Sequence, residues 1–365
     1  MITEFPSGLL KGWVIWKSNT MIVLGIDTSC DDTSASVVAD GRRCLSNVIH
    51  SQVKLHHAHG GVVPELASRE HLRNIVPVVE EALVKAGLEM RDLDGIAVTV
   101  GPGLVGSLLV GLYYAKGAAY VNNIPLAGIN HLEGHILSIF LEEDMPAFPF
   151  VALTVSGGHT SLYHVKAYGQ YELMGQTLDD AAGEAFDKVA KILGLGYPGG
   201  SIIEKMALKG DKDSIRFPRA YLSKDSLDFS FSGLKTAVSL HVEKCRAGAQ
   251  GMDGSTVADI AASFQEAVVE VLVNKLMMAR TVTGASAIVA AGGVVCNNRL
   301  RDKLRAAGSE IGIPVYYPRP QYCTDNGAMI AVAGHHRLKN NQQVDMAIDV
   351  RSRYPISDLA SITSQ

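Results

Sequence analysis

The chain has 365 residues, of which 47% are hydrophobic and 19% are charged, and its formal net charge is −4 at pH 7. This length is enough for two domains with separate cores, and the composition is that of an ordinary globular protein. The negative balance argues against a surface covered with nucleic-acid-binding groups, although it leaves room for a local basic patch. Apolar runs stay shorter than a membrane-spanning helix requires, so we expect no contact with a membrane.

The five cysteines are scattered, odd in number and without a Cys-x-x-Cys pair. Such a set favours free thiols in a reducing compartment over a disulfide framework, so we expect a cytoplasmic protein. Residues 1–20 hold both tryptophans but lack the basic segment and long apolar run of a secretory signal. We expect these residues to be an extension that is not part of the fold.

Periodicity and turn residues predict the same order of elements in each half of the chain. In the first half they are strands over 22–27, 34–39 and 44–50, a helix over 64–86, a strand over 95–100, a helix over 106–121, a strand over 125–129 and a helix over 131–141. In the second half they are strands over 149–155, 160–166 and 171–177, a helix over 180–193 and, after an irregular stretch, a helix over 256–282, a strand over 286–291, a helix over 298–308, a strand over 314–317 and a helix over 325–337.

This repeat predicts an α/β protein of two similar lobes, each a mixed sheet flanked by helices. The first lobe is expected over 21–148, with about 325–345 packed back against it, and the second over 149–324. Residues of about 195–250 break the repeat and are predicted to form a basic helical insertion. Segment 188–246, which covers most of it, has eleven Lys and Arg against six Asp and Glu, a net charge of +5. It is either a solvated helical face or a landing surface for a polyanion.

The first strand of each half runs into a turn of small residues, Thr28-Ser29 in one and Ser156-Gly157-Gly158 in the other. Backbone N–H groups and hydroxyls in such turns suit phosphate, and two turns facing across a cleft would hold one nucleotide from both sides. Each further candidate for this pocket is, alone, more simply explained as turn or cap chemistry. These candidates are Glu184, Asp187, Leu195–Gly200, Gly292–Gly293, Asn297 and Asn298.

A pair of histidines, His131 and His135, follows the predicted strand 125–129. If a helix begins near Asn130, both imidazoles lie one turn apart on the same face, where they can bind one metal ion. The two zinc-peptidase motifs would need Glu directly after the first His or directly before the second, and Glu133 is in neither place. Asp325, before the last helix, is a plausible third ligand, and the alternative is that it is only the N-cap of that helix.

Three carboxylates, Asp27, Asp31 and Asp32, flank the first turn. A carboxylate there could act as a general base or orient a nucleophile, as in kinases with this kind of hairpin. The alternative is that these side chains cap their own backbone in the turn.

In combination these segments resemble the TsaD family, the tRNA adenosine threonylcarbamoyltransferases, from about Met21 to Leu338. Two small departures are Asp27 and Asp32, where many members are expected to have Glu. The stretches that carry the resemblance are Gly25–Thr33, Gly61–Arg69, Gly101–Leu108, Asn130–His135, Ser156–Thr160, Phe229–Thr236, Ala291–Val294 and Asp325-Asn326.

The resemblance implies an actin-like ATPase (ASKHA) fold, in which two RNase H-like domains enclose a nucleotide and metal cleft. It implies transfer of the threonylcarbamoyl group from threonylcarbamoyl-AMP to N6 of adenosine 37, in tRNAs reading ANN codons, with release of AMP. By motif match, one divalent ion, Fe²⁺ or Zn²⁺, would be held by His131, His135 and Asp325. The residues that would hold the adenylate are Thr154, Val155, Ser156, Gly157, Gly158, Asp187, Gly200 and Asn297.

The exocyclic amine of adenine is a poor nucleophile, so a base that removes its proton would help, and Asp31 or Asp32 is the candidate. Adenosine 37 lies in the anticodon loop, where a base can be splayed into a pocket at modest cost. The resemblance further implies an inactive TsaB-like paralogue that pairs through the first half, and a small TsaE-like P-loop ATPase.

Three rival functions remain open from the sequence. An actin-like small-molecule kinase or ATPase would use the same hairpins for ATP but has no task for His131 and His135. A non-catalytic scaffold would not need the complete ligand set. A metallopeptidase fits least because its glutamate is missing from the required position.

Overall fold

The computed structural model describes residues 20–223, 225–248 and 252–361. The predicted extension over 1–20 therefore lies, apart from its last residue, outside the described residues. The strands are β1 (Ile22–Asp27), β2 (Asp32–Ala39), β3 (Arg43–Ser51), β4 (Gly95–Gly101), β5 (Leu126–Asn130), β6 (Phe150–Val155), β7 (Thr160–Ala167), β8 (Gln170–Gln176), β9 (Ile288–Ala291) and β10 (Val315–Tyr316). The helices are α1 (Val53–His57), α2 (Pro64–Ala86), α3 (Val105–Asn122), α4 (His131–Leu137), α5 (Ala182–Ile192), α6 (Gly199–Ala207), α7 (Ser232–Ala247), α8 (Gly254–Thr283), α9 (Asn298–Glu310), α10 (Pro320–Cys323) and α11 (Gly327–Lys339).

The strands form two five-stranded sheets with the same topology. The first has the order β3-β2-β1-β4-β5 and the second the order β8-β7-β6-β9-β10. In each sheet the first strand of the half pairs antiparallel with the hairpin strand that follows it and parallel with the crossover strand on its other side. The predicted duplication and the predicted α/β class are therefore confirmed.

Helix α11 packs against β1, β2 and β4 of the first sheet, although it lies at the far end of the chain. The contact depends on glycine, because a Cβ at Gly25 would lie 2.0 Å from the Gly327 carbonyl oxygen and 2.5 Å from the Ala331 nitrogen. Both neighbouring atoms belong to the backbone, which cannot move aside as a flexible side chain could. This close approach sets the start of α11, and with it Asp325, at the end of β1.

The segment 195–250 contains α6 and α7, and its positive charge is partly offset inside the protein. Four of the eleven basic residues of 188–246 form ion pairs with carboxylates, and Lys224 lies outside the described residues. The paired residues are Lys188, Lys212, Arg219 and Lys235.

All five cysteines are free thiols, as the scattered spacing predicts. Within the part of the chain that the structure describes, no helix combines the length and the apolar character needed to cross a bilayer.

Candidate metal and nucleotide site

A cavity of about 680 Å³ lies where the ends of the two sheets face each other. Its volume is within the range of about 300–1,000 Å³ that is usual for small-molecule sites. The first half contributes Ser29, Cys30, Asp31, Gly60, Gly61, Val62, Pro102, Gly103, Leu104 and His131 to the lining. The second half and the segment before α11 contribute Ser156, Gly157, Gly158, His159, Glu184, Asp187, Lys188, Lys191, Tyr197 and Asp325.

His131, His135 and Asp325 converge beside this cavity, and one ligand atom of each lies within 4.8 Å of the others. His131 and Asp325 belong to the lining, and His135 is buried directly behind them. Oδ1 of Asp325 is 3.4 Å from Nε2 of His131 and 3.2 Å from Nε2 of His135. Both histidines lie on α4, which starts at His131 because the Asn130 side chain accepts hydrogen bonds from the backbone N–H groups of Leu132 and Glu133. This N-cap gives the two rings the one-turn spacing that the sequence predicts.

Asp325 is not the cap of the last helix. The helix was predicted from residue 325, but α11 begins at Gly327, and the Asn326 side chain caps it by accepting a hydrogen bond from the Met329 N–H. An Asn side chain satisfies the first free N–H groups as well as Asp does. The Asp325 carboxylate is therefore left to face the two imidazoles.

A second carboxylate, that of Asp27, lies behind His131, in a position that the sequence does not predict. Nδ1 of His131 is 3.5 Å from Oδ2 of Asp27 and 3.1 Å from the Ser29 hydroxyl, and both of these side chains are buried. A partner for Nδ1 orients the ring so that Nε2 faces Asp325, an arrangement common behind metal-binding histidines. Asp27 sits at the end of β1, and only the fold brings it to His131.

The electrostatics of the cluster favour a positive charge. Burial opposes the charged form of His131, but the carboxylates of Asp325 and Asp27 outweigh it and raise the pKa of His131 to about 10. Burial likewise opposes ionisation of Asp325, and the two histidines reverse this and hold its pKa well below the usual range. A site that retains a proton this strongly would also attract a divalent cation, which competes with that proton.

The donor set fits a metal ion. Both ring nitrogens of His135 are buried, and neither makes a hydrogen bond of good geometry with the described residues, although Nε2 lies 3.2 Å from Oδ1 of Asp325. Unpaired buried nitrogens are costly, and coordination to a metal is one way to satisfy them. Two imidazoles and one carboxylate leave open positions for substrate oxygens, and this ligand set suits both zinc and iron.

Glu133 lies between the two histidines in sequence but points away from them. Its carboxylate accepts hydrogen bonds from the Arg337 guanidinium at 2.7 Å and from the Tyr171 hydroxyl at 3.1 Å. A metallopeptidase needs this glutamate beside the metal as a general base. The geometry therefore excludes Glu133 from that role.

The turn Ser156-Gly157-Gly158 forms the opposite wall of the cavity. A Cβ at Gly157 or Gly158 would meet no atom within 4 Å, so both glycines leave their backbone open to a ligand. Helix α5 starts against this turn, and the Gly183 N–H donates to the Ser156 carbonyl at 3.2 Å. The N-terminus of a helix favours anions, so the turn and α5 together suit a phosphate.

Asp187 on α5 fixes the loop before α6. Its Oδ1 accepts a hydrogen bond of 2.6 Å from the Gly199 N–H, and a Cβ at Gly199 would lie 2.6 Å from the Cα of Asp187. Burial raises the pKa of Asp187. Asp187 and Tyr197 both line the cavity, so this loop contributes to its floor.

Not every residue expected to hold the adenylate lines the cavity. Thr154 and Val155 are buried in β6. The Asn297 side chain caps α9 and donates to Gln265 at 2.7 Å. These three residues and Gly200 are absent from the lining, whereas Ser156, Gly157, Gly158 and Asp187 belong to it.

The two candidate bases differ in position. Asp31 lines the cavity, and burial raises the pKa of its carboxyl. Asp32 is not part of the lining and begins β2, opposite Ser51. Burial raises the pKa of Asp32 to about 7, against a hydrogen bond from Ser51 that lowers it.

Several lining residues belong to segments that the sequence predicts to be functional, but the sequence assigns them no individual role. Among them are Lys191, Tyr197 and His159, and burial together with the charges of His131 and His135 lowers the pKa of His159 to about 4. Gly103 carried a signal in the Gly101-Pro102-Gly103 motif, because a Cβ there would lie 2.5 Å from the Ser29 carbonyl oxygen. The absence of a side chain at Gly103 therefore lets the loop 101–104 pack against the turn at Ser29.

Known structures share this architecture. The chain matches the crystal structure of the Acidaminococcus fermentans (R)-2-hydroxyglutaryl-CoA dehydratase component A with a TM-score of 0.52 and 16% identity, over 87% of this chain and 99% of that chain. It matches full-length HypF in the phosphate- and nucleotide-bound form with a TM-score of 0.56 and 14% identity, over 88% of this chain and 46% of that chain. At these identities the likeness concerns the fold, which is the expected actin-like ATPase fold.

Sequence relatives are much closer. The chain is 53% identical over 341 residues to the tRNA N6-adenosine threonylcarbamoyltransferase of Geotalea uraniireducens (strain Rf4), covering 93% of this chain and 98% of the relative. It is 52% identical over 336 residues to the enzyme of the same name from Syntrophus aciditrophicus (strain SB), covering 92% and 98%. Residues 43–332 match the family profile described as TsaD, tRNA N6-adenosine threonylcarbamoyltransferase. The chain therefore belongs to the TsaD family.

Proposed function

We propose that this protein transfers the threonylcarbamoyl group from threonylcarbamoyl-AMP to N6 of adenosine 37 of tRNAs that read ANN codons. The observation that carries the proposal is the cluster of His131, His135 and Asp325 beside a nucleotide-sized cavity, which His131 and Asp325 line. The opposite wall of that cavity is the open Ser156–Gly158 turn at the start of α5. Membership of the TsaD family supports the same reaction.

The reaction assigns a task to each wall of the cavity. The backbone of Ser156–Gly158 and the N-terminus of α5 would hold the phosphate of the adenylate, and Asp187 and Tyr197 would border the rest of the nucleotide. When bound by His131, His135 and Asp325, a divalent ion, Zn²⁺ or Fe²⁺, would stabilise negative charge that develops on the phosphate or carbonyl oxygens. Thr154, Val155, Gly200 and Asn297 would act from behind the lining.

The chemical step forms a bond between N6 of adenosine and the carbonyl carbon and breaks the bond from that carbon to the phosphate oxygen of AMP. N6 must lose a proton as it attacks. We assign this proton to the Asp31 carboxylate, because Asp31 lines the cavity and Asp32 does not.

The tRNA would approach over the basic segment 188–246. Two of its members, Lys188 and Lys191, line the cavity. Lys188 is shared between Asp180 at 2.6 Å and Glu184 at 2.9 Å, so its charge is partly neutralised within the protein. Lysine and arginine side chains in such a segment can bind the phosphates of an anticodon loop.

The test is a transfer assay with the purified protein, together with its partners where they are required. Threonylcarbamoyl-AMP and unmodified tRNA should yield tRNA modified at adenosine 37 and one AMP for each modified base. A tRNA with guanosine at position 37 should remain unmodified. If labelled phosphate moves instead from ATP to a small acceptor while adenosine 37 stays unmodified, the kinase alternative is correct and the transferase proposal is wrong.

We further propose that an inactive TsaB-like paralogue pairs with this chain through the solvent side of α2 and α3, and that a small TsaE-like P-loop ATPase joins the pair. The two helices pack against each other, and both expose large apolar side chains. On α2, Leu72 and Val76 lie one turn apart and are 64% and 46% exposed. On α3, Tyr113 and Tyr120 lie two turns apart and are 62% and 79% exposed. Exposed apolar side chains at helical spacing favour burial against a partner.

Replacing Leu72 by aspartate is expected to weaken binding of the paralogue by about tenfold or more, because the substitution buries a charge in an apolar interface. Calorimetric titration with the paralogue measures the change. The matched control is Leu208→Asp, since Leu208 is also a leucine on the surface, 83% exposed, and lies next to α6 in the second half. Equal binding by wild type and Leu72→Asp would rule out this face as the contact.

A further inference from the structure

A buried ion pair lies directly behind the metal-binding face of α4. Glu133 and Arg337 are only 3% and 6% exposed. Oε2 of Glu133 accepts hydrogen bonds from both the Nη2 of Arg337, at 2.7 Å, and its Nε, at 3.3 Å. The chemistry proposed above does not use this pair.

Glu133 lies on the side of α4 opposite to His131 and His135. Residues two positions apart on an α-helix point about 200° away from each other. Glu133 is two positions from His131 and two from His135, so its carboxylate leaves α4 on the side opposite both imidazoles. Contacts that hold the Glu133 side chain therefore fix the rotation of α4, and with it the positions of both histidines.

The partner of Glu133 lies on the helix that follows the third ligand. Arg337 is on α11, which begins two residues after Asp325. The two helices also touch at Gly134, where a Cβ would lie 2.9 Å from the Ile330 side chain. The ion pair is thus a polar link between the helix that carries two ligands and the helix whose start places the third.

The same carboxylate reaches the second half of the protein. The Tyr171 hydroxyl donates to Oε1 of Glu133 at 3.1 Å, and Tyr171 belongs to β8 of the second sheet. Both carboxylate oxygens therefore accept hydrogen bonds, one from α11, which packs on the first sheet, and one from β8 of the second sheet.

We propose that Glu133 is a positioning residue for the metal centre, which Arg337 and Tyr171 hold so that His131 and His135 face Asp325 at binding distance. This inference rests on the proposed function, because it needs the metal site to be real. Residues that hydrogen-bond to the ligands of a metal typically change its affinity by about 10–100-fold when they are replaced, and we expect an effect of this size from Glu133 because it sets the rotation of the helix that carries both histidines. Charge-assisted hydrogen bonds are directional, so apolar packing alone would not keep α4 at the same rotation.

The experiment measures Zn²⁺ affinity of the full chain by competition with a chromophoric chelator, which requires no transferase activity. Glu133→Gln is expected to bind Zn²⁺ about 10–100-fold more weakly than wild type. Tyr171→Phe, which removes only the hydroxyl of the second half, is expected to weaken Zn²⁺ binding by a smaller factor. The matched control is Glu266→Gln, because Glu266 is a buried carboxylate paired with Arg299 at 2.7 Å, remote in sequence and on another helix. The control is expected to bind Zn²⁺ as wild type does.

A triple variant separates positioning from general stability. Glu133→Leu with Arg337→Met and Tyr171→Phe removes all three polar groups, and replacing a whole buried ion cluster by apolar side chains often preserves folding stability. The expected result is a thermal midpoint near that of wild type together with weakened Zn²⁺ binding. Wild-type Zn²⁺ affinity in the triple variant, or in Glu133→Gln, would overturn the inference.

The control variant His131→Ala distinguishes the two levels of failure. If wild type binds Zn²⁺ and His131→Ala does not, but Glu133→Gln binds as wild type does, only the positioning role is wrong. If wild type binds no Zn²⁺ that depends on His131, the metal site of the proposed function fails and the positioning role fails with it.

Discussion

Replacing His131 by alanine is expected to abolish retention of the divalent ion and to lower the rate of threonylcarbamoyl transfer by about 10³-fold or more. Metal ions contribute several kcal/mol to stabilising charge in such transition states, and each 1.36 kcal/mol corresponds to a factor of about ten. His131 is central because its two ring nitrogens face different carboxylates, Asp325 at 3.4 Å and Asp27 at 3.5 Å. Without the imidazole, the buried Asp27 and the partly exposed Asp325 face the site with no cation between them, and only His135 remains as a nitrogen ligand.

Metal content after dialysis against a chelator and initial transfer rates measure the two effects. The matched control is His164→Ala, because His164 lies on β7 and contacts Glu172 rather than the cluster. The control should keep both the metal and the rate. Full activity in a His131→Ala protein that holds no metal would contradict the proposed chemistry.

Replacing Asp31 by asparagine is expected to lower the transfer rate by about 10²–10⁴-fold, the usual contribution of a general base, while the metal is retained. Asparagine keeps the size of the side chain but cannot take the proton from N6 of adenosine. Asp31 lines the cavity without belonging to the metal cluster, so the two functions should separate.

The pH dependence identifies the same group. A general base works only when it is deprotonated, and burial raises the pKa of Asp31 above its ordinary value of 3.8. The wild-type rate should therefore fall on acidification at a higher pH than an ordinary aspartate would give, and it should level off above that pKa. The residual rate of Asp31→Asn should lack this acidic limb.

Asp32→Asn provides the comparison, because the pKa of Asp32 is raised to about 7 but its side chain is not part of the cavity lining. If Asp31 is the base, the acidic limb persists in Asp32→Asn. If the limb is lost in Asp32→Asn and kept in Asp31→Asn, the base is Asp32 and our assignment is wrong.

Much of the fold could be predicted because its signals are local. Apolar alternation located the strands, and the equal order of elements in the two halves predicted two sheets of one topology, as observed. The predicted boundary of a helix can shift by one or two residues where two neighbouring side chains can both act as its N-cap. The sequence predicts that the last helix begins at Asp325. In the structure the Asn326 side chain is the N-cap, so the helix begins at Gly327.

Those parts of the candidate site were predictable whose residue types and spacing are typical of metal or phosphate binding. This applies to the i, i+4 histidines, to the glycine turn and to the acidic residues of the first hairpin. The TsaD resemblance added Asp325, which is distant in sequence. The sequence could not separate Asp31 from Asp32, which are adjacent, nor show that Thr154 and Asn297 are engaged in the fold behind the cavity.

By itself the sequence determined the duplicated architecture, the pair of imidazoles on one helix face and the family, because each of these depends on neighbours along the chain. Tertiary structure alone decided that Asp325 meets those imidazoles, that Asp27 lies behind His131 and that Glu133 turns away to Arg337. The physical reason is that these contacts join positions from about 100 to 200 residues apart. The contacts of Asp325 and Arg337 form when α11 packs on β1 at Gly25, and the contact of Asp27 forms because β1 and β5 belong to one sheet. No periodicity in the chain encodes that approach.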